Sequence, residues 1–171
     1  MITPPILAAL THPLGGDAAI GSALIDRVSN DLSGRVWIVD GVDPTDLIGI
    51  WAGSPIVVII EAKRDGASPG TLRRYDLTDA SVGVAASRSV GVAEVLAVAR
   101  ALDQAPQQTI LLSITVGPVG TDAASAAVLD VLGPAAKLVL SEFENFLVTR
   151  PSTIAATKQP GQADHPVRPI A

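Results

Sequence analysis

Three carboxylates in this chain stand where chemistry is done. Asp17 follows a loop with adjacent glycines, Asp40 closes an apolar run at residues 36–39, and Glu61 follows five consecutive β-branched aliphatics at residues 56–60. A carboxylate placed directly after such a run is costly to desolvate unless it is paired or used, so Glu61 reads as a functional or ion-paired group. Asp17 has an alternative reading as a helix N-cap, and Asp40, which precedes Gly41, as a turn residue. Gathered at one place, the three would raise one another's pKa and make an acid–base site or a site for a hard cation.

Other chemistries lack material. The chain has no cysteine and only two histidines, His12 and His165, which excludes thiolate catalysis, disulfides and cysteine-based zinc sites. A Ser-His-Asp triad would have to draw on His12, and no nucleophile-elbow sequence is present. Gly15, Gly16 and Gly21 match neither the spacing of a dinucleotide fingerprint nor that of a phosphate-binding Walker loop. Arg73 and Arg74 read as the solvated face of a strand rather than as a basic site.

The 171 residues are 48% hydrophobic and 17% charged, with only five aromatics, which describes an aliphatic core and not a disordered chain. The net charge of −5 argues against nucleic acid as a partner, since it gives no field to concentrate phosphate. Mean hydropathy is high at +0.42. Even so, the apolar run at 56–60 falls far short of the ~20 residues that span a bilayer, so no membrane insertion is expected. The N-terminus carries no cationic export signal, and a cytoplasmic location is expected.

To position the carboxylates, strand-length apolar runs alternate with segments of helical period, the pattern of a parallel sheet covered on both faces. The expected fold is α/β, a three-layer sandwich with a mostly parallel central sheet, of the phosphorylase/hydrolase-like kind. Strands are expected at 6–10, 36–39, 56–60, 71–77 and 109–116, the fourth polar enough to be an edge strand. Helices are expected at 18–32, 44–52 and 90–102. A last helical stretch at 122–148 is interrupted at Gly133-Pro134, which predicts two helices or a kinked one. Residues 1–148 form the single domain, and 149–171, with four prolines, read as a disordered tail. In such sheets ligands bind beyond the carboxyl ends of the strands, where Asp17, Asp40 and Glu61 fall.

Several local sequences, in order, resemble one family. The run from His12 to Gly21, HPLGGDAAIG, is similar to the Gly-Asn-x-Leu-x-x-Asp-Asp/Glu-Gly-x-Gly opening of the hydrogenase maturation proteases, the endopeptidases that trim the C-terminus of nickel-iron hydrogenase large subunits. Val39-Asp40-Gly41 resembles the family's Val-Asp-Gly-Gly. Glu61-Ala62 with Ser68-Pro69-Gly70-Thr71 resembles its Asp-Ala-x-x-x-Gly-x-x-Pro-Gly-Thr, and Ser87-Arg88-Ser89-Val90-Gly91-Val92 its Ser-x-His-x-x-Gly-Leu. The resemblance implies a protein that processes the large-subunit precursor or assists its assembly, alone or with an accessory maturation protein. It implies no intrinsic cofactor, only nickel presented by the substrate. Its catalytic candidates here are Asp17 and Asp40.

The family's three nickel-sensing positions read Ala18, Glu61 and Arg88 in this chain, so one carboxylate remains. Arginine stays protonated and opposes a cation. Two expectations follow. Either Asp17 and His12 act as replacement ligands beside Glu61, giving an oxygen and nitrogen site, or Arg88 pairs with Glu61 and the chain is an inactive relative that serves as a chaperone, scaffold or binding module.

Overall fold

In a computed structural model of the chain, residues 3–10, 19–79, 90–117 and 125–149 are described. Five strands form one sheet in the order β2-β1-β3-β5-β4: β1 (Ile6–Leu10), β2 (Trp37–Val42), β3 (Val57–Lys63), β4 (Leu72–Asp76) and β5 (Thr109–Thr115). All pairings are parallel except that of β4 with β5. The antiparallel partner is the polar strand at the edge, where Arg73 and Arg74 interrupt the apolar pattern that a doubly covered strand requires. The helices are α1 (Ile20–Leu32), a 3-10 turn (Pro44–Asp46) running into α2 (Leu47–Trp51), α3 (Val90–Ala101) and α4 (Ala126–Thr149).

Strand alternation splits the core in two. Val58 and Ile60 of β3 join Leu24 and Val28 of α1 and Val139 and Phe143 of α4 on one face. Val57 and Ile59 join Leu47 and Trp51 of α2 and Val92 and Leu96 of α3 on the other. β3 and β5 are buried from both sides over most of their length, which is why residues 57–60 and 110–112 are aliphatic without alternation.

One boundary differs from the expectation, and one open alternative is decided. α1 begins at Ile20, and its N-cap, Ala19, makes no side-chain capping bond; Asp17 lies outside the described residues. α4 is one helix containing Pro134. A proline inside a helix forfeits a hydrogen bond at a cost of about 3 kcal/mol. Here Val128, Val131, Ala135, Val139, Phe143 and Phe146 continue at helical spacing on both sides of it, and burying that stripe outweighs the local break. The tail expected at 149–171 lies, beyond Thr149, outside the described residues. No described helix is long and apolar enough to cross a membrane.

The segment between β3 and β4 fixes α4 to the sheet edge. Gly70 donates its N–H to the Thr115 carbonyl (2.8 Å), and Thr115 donates back to Thr71 (2.9 Å). Gly70 sits at φ +83°, and a Cβ there would stand 2.4 Å from the Ala127 carbonyl oxygen at the start of α4. Only glycine fits. From the other edge of the same contact, Arg74 of β4 grips Glu142 of α4 through two hydrogen bonds, Nε to Oε1 at 2.5 Å and Nη2 to Oε2 at 3.0 Å.

Candidate functional site

Chain order creates a switch point. From β1 the chain crosses through α1 on one face to β2 at the outside, whereas the return to β5 runs through α3 on the opposite face. Connections therefore diverge between the carboxyl ends of β1 and β3, the place where open α/β sheets form a ligand crevice.

Glu61 lies there. The strand runs on to Lys63, two residues past it, and Ala9 of β1 pairs with Ile60, so Glu61 stands level with the last residue of β1. It is 5% exposed and follows Val57 and Ile59 onto the α2/α3 face. Its register partner in β5 is Ser113, whose hydroxyl donates to Oε1 at 3.2 Å. A buried carboxylate must have such donors to offset its lost hydration.

Asp40 stands at the same end of the sheet but turns to the other face. Ala8 pairs with Val39 and Leu10 with Val42, so β2 carries one extra residue, a bulge at Asp40-Gly41 with Gly41 at φ +68°. The exposed Asp40 carboxylate accepts a hydrogen bond from Ser22 Oγ of α1 at 2.9 Å. Glu61 and Asp40 thus flank the end of β1 from opposite sides. His12, Asp17, Ala18 and Arg88 lie outside the described residues, as does the expected Arg88–Glu61 pair. Among the described residues, no three acidic or histidine side chains gather as a metal-holding group.

Around Glu61 the structure adds residues that sequence reading passed over. The Ser113 row continues into β4, where Arg73 is the register partner. Leu72 and Arg74 turn to the α4 side and Tyr75 to the α2/α3 side, so Arg73 shares the face of Glu61. Its guanidinium is ion-paired with Asp65, which also accepts from the Ala67 N–H and from Thr115 Oγ1, each at 3.1 Å. The Ala67 N–H, together with Thr115 and the Arg73 charge, holds the Asp65 carboxyl below the usual carboxylate range against the opposing effect of burial. Neither arginine is thus a merely solvated side chain. Glu142, chiefly through its hydrogen bonds, raises the Arg74 pKa further. The readable signal was the alternation in β5, which puts Ser113 and Thr115, two hydroxyls spaced by two in an aliphatic strand, on one face.

No protein-family model matches the chain, and no curated protein matches it. Solved structures do. The hydrogenase maturating endopeptidase HybD from E. coli superposes with a TM-score of 0.70 at 21% identity, over 84% of this chain and 93% of that one. The chain has the fold of the hydrogenase maturation proteases. Two further structures agree, both from Thermococcus kodakarensis. The [NiFe] hydrogenase maturation protease HybD has a TM-score of 0.63 at 18% identity over 81% of this chain and 98% of that one. The maturation protease HycI has 0.61 at 18% identity over 84% and 94%. Because each match spans nearly the whole of the other chain, the shared fold is the entire domain and not a common βαβ fragment.

Proposed function

We propose that this chain is a hydrogenase maturation protease-like protein that engages the precursor of a nickel-iron hydrogenase large subunit. The observation that carries the reading is Glu61, a buried carboxylate at the switch point of a fold shared with solved maturation proteases. In that role Glu61 is an oxygen ligand toward nickel that the precursor brings, so the metal is part of the substrate and not a resident cofactor. His12 and Asp17 are the candidate replacement ligands, and Asp17 and Asp40 the candidate catalytic carboxylates. A cytoplasmic location accords with a partner that is itself being assembled.

A second reading is favoured by Ala18 and Arg88 at the two remaining nickel-sensing positions. If Arg88 pairs with Glu61, the chain would bind the precursor, or an accessory maturation protein, without cutting it. Incubation with nickel-loaded large-subunit precursor, followed by intact-mass measurement, separates the two. Loss of a short C-terminal peptide, abolished by Glu61→Gln, supports the protease. A stable complex with an uncut precursor supports the chaperone or scaffold. Neither cleavage nor complex formation refutes both.

A further inference from the structure

The end of the sheet opposite Glu61 holds a cavity that the proposed function leaves unused. Its volume is about 330 Å³, and its walls include Pro55 ahead of β3, Gln107 and Gln108 ahead of β5, Asp76 at the close of β4, and Phe146 and Thr149 at the end of α4. Pro55 precedes Glu61 by six residues, which at about 3.3 Å per residue of strand separates the two places by about 20 Å.

The one charge among the described lining residues is the Asp76 carboxylate. Its Oδ1 accepts the Thr78 N–H at 3.0 Å, which fixes it against the turn after β4. Arg74 Nη2 stands 3.8 Å from Oδ2, beyond hydrogen-bond reach, because two hydrogen bonds commit that guanidinium to Glu142. Asp76 is therefore a carboxylate, 46% exposed, that no described cation hydrogen-bonds. The end of α4 adds negative character at the same place. The last carbonyls of a helix carry partial negative charge, and the last turn of α4 contains no basic residue to offset it.

The chain itself supplies the opposite charge. Thr149, part of the wall, is followed directly by Arg150, and Pro151 disfavours helical backbone at the residue before it, a stop signal at the mouth of the cavity. Residues 150–171 carry Arg150, Lys158 and Arg168 against the single acid Asp164, in a chain whose net charge is −5. A cation tethered one residue from the cavity meets Asp76 at the high effective concentration of a short linker. We propose that residues 150–171 return onto this cavity and that the Arg150 guanidinium pairs with Asp76, which anchors a cationic segment to its own domain at the end of the sheet away from Glu61. The inference stands whether or not the chain cuts a precursor.

The test uses the full-length protein. Because the chain has no cysteine, Ala156→Cys provides one thiol for a nitroxide label. In amide NMR spectra the label is expected to weaken the Thr78 and Gln108 signals at least twofold and to leave those of Ala62 and Lys63, at the far end of β3, unchanged. Arg150→Gln and Asp76→Asn, each added to the labelled protein, are expected to abolish that loss, whereas Lys158→Gln retains it. Asparagine keeps an acceptor for the Thr78 N–H, and circular dichroism confirms folding. Arg150→Gln changes no described residue, so it decides the pairing even if Asp76→Asn is unstable. A mixture of isotope-labelled protein without nitroxide and unlabelled protein with it reports a segment supplied by a second copy, and no broadening is expected there. Thr78 and Gln108 signals untouched by the label, equal losses at both ends of the sheet, losses that survive either charge removal or vanish in Lys158→Gln, or losses reproduced in the mixture each overturn the proposal.

Discussion

Replacing Gly70 with alanine tests whether the β3–β4 turn sets the position of α4. Two costs are separable. The first is conformational: at φ +83° a residue with a Cβ loses roughly 1–2 kcal/mol relative to glycine. The second is steric. The new Cβ would lie 2.4 Å from the Ala127 carbonyl oxygen and 2.9 Å from its carbon, where ordinary contact begins at 3.4 Å, so the start of α4 or the turn must move by about an ångström. Overpacking of that kind costs about 1–3 kcal/mol. Together the change is about 3 kcal/mol, which for a domain near 150 residues lowers the melting temperature by about 6–12 °C.

Gly66 supplies the internal control. It sits in the same segment at φ +79° with no atom within 4 Å of the hypothetical Cβ. Gly66→Ala therefore carries the conformational cost alone, roughly 1–2 kcal/mol. Urea unfolding of both variants, with the slope checked for constancy, gives the difference directly. A gap of about 1–3 kcal/mol is expected. Equal destabilisation by the two substitutions would refute the steric argument and with it the claim that the turn seats α4.

The remaining predictions concern charge. The Asp65 carboxyl is held below its unfolded value, so its contribution is full above the unfolded pKa and disappears as pH falls through the folded one; Asp65→Asn should therefore flatten the decline in stability below about pH 4, measured by urea midpoints across pH. Glu142→Gln should cost about 1–2 kcal/mol, between the values for exposed and buried pairs, because the Arg74 side chain is 37% exposed and its Glu142 partner only 10%. A double-mutant cycle with Arg74→Gln checks that figure, and coupling near zero would remove the pair from any account of how α4 is held. Ser113→Ala withdraws the hydroxyl from the buried Glu61 carboxylate and should destabilise by about 1–3 kcal/mol in the same unfolding assay.

Much of the architecture was legible because burial writes itself into sequence. The run at 56–60 is aliphatic on both sides of the pleat, which marks a strand covered twice, and β3 is central. The mixed polarity around Arg73 and Arg74 marked the edge strand, and β4 is an edge. Gly133-Pro134 by itself left two helices or one kinked helix open, and the stripe that packs on both sides of it keeps the segment a single helix. Asp40 and Glu61 were both placed at the carboxyl end of the sheet, but the single-residue bulge that turns Asp40 toward α1 has no signature beyond Gly41, which reads equally as a turn.

The sequence by itself determined the element order, the two-sided core and the poverty of the available side chains: there is no cysteine, and His12 and His165 are its only histidines. Tertiary structure decided which polar residues meet. Glu61, Ser113 and Arg73 are separated by 52 and 40 positions in the chain and become neighbours only through the parallel pairing of β3 with β5 and the antiparallel pairing of β4. Periodicity within a segment reports which side of that segment is buried; strand register, set by long-range packing, determines what lies across from it.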